Sequence, residues 1–190
     1  MALPVCSQEV GLQLYSLRNQ FKTDIESTLK TISDWGIDKV EGGDTYGMDE
    51  TDFRDLLKRY NIDVVGIGVD YNDLKKDLAV LADKADRYGA KYLMCPWIPH
   101  NGDDFTLEDT EQAIALFNKA GKYFKERGLI FTYHMHGYEF RPHGEGTLFD
   151  LMAEQATDFD FEMDVYWVQH GGEDPLALLN KYPEKFKLMH

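Results

Sequence analysis

"LQLYSLRNQF", residues 12–21, follows the start of the first apolar, β-rich run, and its reading decides the fold. A nucleotide-binding, doubly wound sheet carries a glycine-rich loop at this point, because glycine lets the backbone close around a pyrophosphate at a helix N-terminus. Here the segment is bulky and polar, with no glycine between Leu12 and Phe21. A (β/α) barrel has no such requirement, and it becomes the expected architecture.

Working outward, similar runs begin near residues 10, 38, 63, 91, 129, 159 and 187, as "VGLQLYSL", "DKVEGG", "DVVGIGVD", "KYLMCPWI", "LIFTYHMH", "FDFEMDVYWV" and "KLMH". Helical patterns lie between them. Ile25, Leu29, Ile32 and Trp35 keep one face, with Thr23 and Glu26 as a capping box and Gly36 as the stop. Phe53, Leu56, Leu57 and Tyr60 form a second stripe; Ile114, Phe117, Ala120, Gly121 and Phe124 form another, stopped by Gly128. Asp174 and Pro175 open the last helix as N-cap and first-turn proline. Strand and helix alternate at about the thirty-residue period of a βαβ unit, which implies a parallel sheet. The expected class is α/β: a (β/α)8 TIM-barrel type, incomplete, with about seven strands and six helices, as a single domain over residues 1–190. The eighth strand is missing, so the first and seventh strands are expected to present free edges. A second copy or another chain that completes the barrel is one expected partner.

With 34 acidic against 20 basic residues the formal net charge is -14, which repels a phosphate backbone; nucleic acid is not an expected partner. No apolar run approaches the roughly 20 residues that cross a bilayer, so no membrane partner is expected either. Cys6 and Cys95 are too few for a disulfide framework or a thiolate zinc cluster. "MALPVCSQEVGLQLYS" has no signal-peptide pattern, so the cytoplasm is the default, with the periplasm open if the N-terminus is a processed one.

Barrel enzymes carry their functional groups at the C-terminal ends of the strands. "FTYHMHGYEFRPHGEG", residues 131–146, crowds His134, His136, Glu139 and His143 at the end of the fifth run. Asp164 ends the sixth and His190 the seventh; Glu139, Asp164 and His190 are spaced 25 and 26 residues apart, one β/α unit each. Two carboxylates and an imidazole suit Mn²⁺, Mg²⁺, Co²⁺ or Zn²⁺ with open positions for substrate oxygens. Each has a plainer reading as well: an N-cap for Asp164, a pair with Arg141 for Glu139, a solvated terminus for His190. His136 is placed to contact substrate or orient Glu139, and His134, one strand period deeper, is expected to be structural. Trp97 and His100 would form the apolar wall and polar tip of a sugar pocket, with Tyr15 and Glu41 facing the same mouth. His143 and His170 are expected in solvated loops.

The stretches "VGLQLYSLRNQF", "VEGGDTYGM", "YHMHGYEF", "EMDVYWVQHGGEDPLALLNKYP" and "KLMH" together resemble the sugar phosphate isomerase/epimerase family, xylose-isomerase-like TIM barrels. The resemblance implies an enzyme: an isomerase or epimerase, dependent on one divalent metal ion, acting on a sugar or keto-sugar by proton abstraction and an enediolate-like intermediate. It implies Glu139, Asp164 and His190 as metal ligands, Glu139 also as acid/base, and a second glutamate on the absent eighth strand. Trp167 stands where several relatives have histidine, and it is expected against the substrate. Alternatives are a lyase, dehydratase or deglycosylating enzyme on a keto-sugar, a phosphodiester nuclease of the same superfamily, which the net charge disfavours, or a non-catalytic carbohydrate-binding subunit.

Overall fold

The computed structural model describes residues 9–102 and 104–190. The chain divides into two compact units, one running to Ile67 and including Tyr88–Ala90, the other comprising Gly68–Arg87 and Lys91–His190. Cys6 lies outside the described residues. No helix among those described is long and apolar enough to cross a membrane.

In the first unit, strands β1 (Leu12–Gln13), β2 (Lys39–Gly42) and β3 (Asp63–Gly68) pair in parallel, with helices α1 (Ile25–Asp34) and α2 (Glu50–Arg59) in the two connections. The run expected as a long first strand is only two residues of strand. Gln13 accepts a hydrogen bond from the Tyr15 backbone N–H at 3.2 Å, and Leu14–Leu17 turns into a 3₁₀ helix. Leu14 is fully buried in this turn and fills the space above Gly42, where an added Cβ would come within 2.7 Å of Leu14 Cδ1. The cap of α1 also differs from expectation. Asp24, not Thr23, accepts from the Ser27 N–H at 2.9 Å, while Glu26 accepts from Arg59 and Tyr60 of the α2 end at 2.8 and 3.0 Å. Glu26 is therefore used between helices and is unavailable to a capping box.

In the second unit, β4 (Tyr92–Cys95), β5 (Ile130–His134), β6 (Asp160–Met163) and β7 (Phe186–Met189) pair in parallel in chain order. Helix α3 (Leu78–Tyr88) precedes β4; α4 (Leu107–Glu126), α5 (Leu148–Gln155) and α6 (Pro175–Lys181) fill the later connections. Thr106 and Asp109 close a capping box at the start of α4, and Gly128, at φ +75°, ends its terminal turn. Asp174 caps α6 by accepting from the Leu176 N–H at 2.8 Å, with Pro175 in the first turn.

Phe117 of α4 packs its ring 5.3 Å from Phe131 and 5.3 Å from Tyr133. Alternation along β5 then sends Thr132 and His134 to the face away from that helix. Through the pairing of His134 with Glu162, the same face receives Glu162 and, two residues on, the site of Asp164. Among the described residues β1 pairs only with β2, and β7 only with β6.

Candidate functional site

The C-terminal ends of β5, β6 and β7 bring three side chains together. One ligand atom from each of His134, Asp164 and His190 lies within 4.8 Å of the others. Asp164 Oδ2 is the hub, 3.3 Å from His134 Nε2 and 2.9 Å from His190 Nδ1. The positions are fixed by backbone as well as side chain. Asp164 directly follows β6 and caps the helix Val165–His170, its Oδ1 accepting from the Trp167 N–H at 3.0 Å. Its two oxygens are thus divided, one to the helix and one to the histidines. His190 donates its N–H to the Met163 carbonyl at 2.6 Å and accepts from the Val165 N–H at 2.9 Å, so both strands present their last side chains at one level.

The donor set fits a small divalent cation. Bonds of about 2.1 Å to a four-coordinate ion separate neighbouring donors by roughly 3.4 Å, close to the two Asp164 to histidine distances. Two imidazoles and one carboxylate form the trio, where two carboxylates and one imidazole were expected. His134, expected to be structural, is the residue that brings the second imidazole.

Glu139 is held elsewhere. It is fully buried on the 3₁₀ turn Tyr138–Phe140, where its carboxylate accepts from the Tyr133 hydroxyl and from the His136 N–H at 3.1 Å. Burial raises its pKa, opposed by these hydrogen bonds. Arg141, its expected rival partner, lies 3.4 Å from Asp104 instead. The turn begins at Gly137, φ +91°, where a Cβ would meet the Trp167 carbonyl at 2.5 Å and Gly171 Cα at 3.2 Å. A bare backbone here lets the Glu139 turn pack directly on the helix that Asp164 caps.

His136 lies beside the trio, its ring centroid 4.8 Å from that of His134 and 5.6 Å from those of Trp97 and Trp167. Desolvation lowers its pKa to about 4, with His134 adding to the effect, and so the ring is neutral near pH 7. Its Nδ1 is buried with no hydrogen-bond partner among the described residues. Trp97, 46% exposed, stacks on His100 at 4.7 Å, and Tyr138 meets both rings. Trp97, His100, His136 and Trp167 therefore form one aromatic wall next to the trio. Tyr15 belongs to the first unit, on the 3₁₀ helix and 68% exposed, with the Arg18 guanidinium 4.5 Å from its ring. Glu41, also in that unit, accepts a hydrogen bond from Gln13. His143 is in a short antiparallel ladder with Gly146, and His170 ends its helix stacked on Tyr166; neither is in a free loop.

No family model matches the chain, and none of the curated proteins matches it. Solved structures do match. A sugar phosphate isomerase/epimerase from Parabacteroides distasonis is 24% identical, with a TM-score of 0.83 over 97% of this chain and 78% of that one. The probable 3-DHS dehydratase AsbF, involved in petrobactin synthesis, from Bacillus anthracis is 12% identical, with a TM-score of 0.75 over 96% and 72%. A xylose isomerase-like TIM barrel protein from Mycobacterium smegmatis, in complex with magnesium, is 12% identical, with a TM-score of 0.72 over 97% and 74%. The fold is an incomplete (β/α)8 barrel. Among the described residues, seven parallel-paired strands with six main intervening helices match the expectation from sequence.

Two functional candidates escaped the sequence reading, His134 and Glu162. The sequence carries only the alternation along "IFTYH", which puts Thr132 and His134 on one face without saying which face is inward; the pairing of His134 with Glu162 appears in the structure.

Proposed function

We propose that this chain is a divalent-metal-dependent isomerase or epimerase acting on a sugar or keto-sugar, with the ion held by His134, Asp164 and His190. The observation that carries the reading is the convergence of these three donors on one point, beside a buried, unpartnered imidazole nitrogen and an aromatic wall. A donor set of two imidazoles and one carboxylate suits zinc, cobalt or manganese better than magnesium. When bound, the ion would supply Lewis acidity to a substrate oxygen. The chain's own residues then do the rest. The His136 ring, set between His134, Trp97 and Trp167, closes the site beside the ion. Trp97 and Trp167 offer flat apolar faces to a sugar ring and exclude water from it. Glu139, through the His136 N–H, holds the turn that aims this imidazole.

A dehydratase on a related keto-sugar shares the first step, removal of a proton next to a carbonyl, and likeness to the Bacillus anthracis dehydratase fold favours keeping it as the second reading. The two part only in product.

The test is deuterium incorporation next to the carbonyl of a panel of ketoses and keto-glycosides in heavy water, with metal content measured on the same protein. Exchange by the metal-loaded chain, lost in His134→Ala and Asp164→Asn, is the expected result; recovered water-elimination product would select the dehydratase. Metal-loaded protein that exchanges no substrate proton across the panel would overturn the reading.

A further inference from the structure

Glu162 is 5% exposed and, among the described residues, makes no ion pair with a lysine or arginine; its side-chain partner is His134, whose Nδ1 lies 3.2 Å from Glu162 Oε2. A carboxylate withdrawn from water with only one imidazole for company is costly unless it has a use for that position. The local geometry supplies one. His134 and Glu162 are register partners on neighbouring parallel strands, and Glu162 precedes Asp164 by two residues, so one edge of β6 directs both acids to the same face. The two acids hold the His134 ring from opposite sides, Glu162 at Nδ1 and Asp164 at Nε2.

We propose that Glu162 is a positioning residue for a metal ligand: it takes the Nδ1 proton of His134 in a hydrogen bond and thereby presents Nε2 as the bare donor nitrogen. The chemistry is that of a neutral imidazole, which has one N–H and one lone pair in the ring plane. A ligand nitrogen must be the one without hydrogen, so fixing the proton at one nitrogen decides the donor at the other. A carboxylate acceptor also makes the ring a better electron donor and stops it rotating about its χ2 angle. Glu162 touches neither substrate nor ion in this role. Its neighbour Asp164 is ligand and helix cap together, and His134 is the histidine of the trio whose second ring nitrogen meets a further carboxylate.

This role rests on the reading of the trio as a metal site, and the experiment separates the two. Affinity for Co²⁺ and Zn²⁺ is measured by calorimetric titration of the full chain, with the visible Co²⁺ spectrum recorded alongside, for the unsubstituted protein, Glu162→Gln and Glu162→Leu. The expected result is a loss of about 10- to 100-fold in affinity for Glu162→Leu, a smaller loss for Glu162→Gln, whose amide oxygen still accepts from Nδ1–H, and a shifted Co²⁺ band in both. Equal affinities in all three proteins would overturn the role of Glu162 while leaving the metal site standing. An unsubstituted protein that binds neither ion would overturn the metal site and this role with it. Should Glu162→Leu not fold, the tautomer decides: in zinc-loaded unsubstituted protein, two-bond nitrogen–proton correlations are expected to show the His134 hydrogen on Nδ1, and a hydrogen on Nε2 would overturn the proposal.

Discussion

Glu139 and Glu162 are both buried carboxylates near one end of β5, yet they answer the cost of burial in different ways. Glu162 faces an imidazole. Glu139 faces a phenol and backbone N–H groups: Tyr133 O–H donates to it, Tyr133 and Tyr138 hydroxyls are 2.7 Å apart, and the Ile98 N–H donates to Tyr138 at 3.1 Å. This chain of donors links the β4 loop that carries Trp97 to the turn that carries His136. Removing its acceptor leaves the His136 N–H unpaired in the interior and the Tyr133 hydroxyl with Tyr138 alone, at about 1–3 kcal/mol for each bond lost. Glu139→Leu is therefore expected to lower the unfolding free energy by about 2–5 kcal/mol, measured by urea denaturation, and Glu139→Gln by far less. The Gln variant also tests the chemistry, since it stays folded: abolished proton exchange would assign the base to Glu139, and retained exchange would assign it the positioning of His136 alone.

At the scale of elements, Gly121 and Asp150 each make a join. Gly121 sits in the buried face of α4, where a Cβ would approach the Asp158 carbonyl carbon to 2.7 Å. Helix propensity alone makes Gly→Ala favourable by about 1 kcal/mol; here the helix must move off β6's leading loop, an overpacking cost of about 1–3 kcal/mol. Gly121→Ala is expected to lower the melting temperature, and a rise would show that the loop yields freely. Asp150 uses one oxygen to close the capping box with Thr147 and the other to accept from Lys181 and Tyr182 at 2.8 Å each, joining α5 to the end of α6. Burial acts to raise its pKa, but the bonds from Lys181, Tyr182 and Thr147 outweigh it and hold the carboxyl below its ordinary value of 3.8. A depressed folded pKa adds stability that is complete above the unfolded value and disappears as pH falls through the folded one. The stability lost in Asp150→Asn, about 1 kcal/mol at pH 7, should accordingly shrink as pH is lowered below about 4, read from paired unfolding curves.

These joins also mark where the sequence was legible. The stripes on α1, α2 and α4 and the alternation of strand with helix are local patterns, and their central residues, Leu29 and Ile32, Phe53, Leu56 and Leu57, Phe117 and Phe124, are buried as their period requires, whereas Trp35, expected on the α1 stripe, follows the helix end and is 56% exposed. Strand β1 is shorter than its local pattern because its continuation depends on a distant residue: Leu14 can turn inward only where Gly42 has no side chain. Of the three grouped side chains, Asp164 and His190 are visible in the sequence because each ends a β-rich run. His134 was hidden by its neighbour Glu139, which lies nearer the expected loop position in sequence but is swung to the Tyr133 side of β5 by the left-handed turn at Gly137. Choosing between them requires knowing which face of β5 meets α4, a tertiary fact.

For the molecule as a whole, a formal charge of -14 means that any added cation stabilises the fold by screening, and a divalent ion will do so even without a site. The two effects differ in form. Screening grows smoothly with ionic strength and depends little on which salt is used, so sodium chloride between low and moderate concentration should raise the melting temperature gradually in every variant. Site binding saturates, and it stabilises by RT ln(1 + [L]/Kd), about 2.7 kcal/mol at a hundredfold excess over Kd. At roughly 2–4 °C per kcal/mol for a chain of this size, zinc or cobalt at low micromolar excess should raise the melting temperature by about 5–10 °C in a background of 0.2 M salt that already screens the surface. The rise should be reversed by chelator and absent from Asp164→Ala, which loses the oxygen shared by both histidines. Magnesium at the same concentration should give much less, because the trio offers it two nitrogens in place of the oxygens it prefers. A rise of equal size with magnesium, or one that persists in Asp164→Ala, would assign the whole effect to the acidic surface and leave the trio as a hydrogen-bonded cluster.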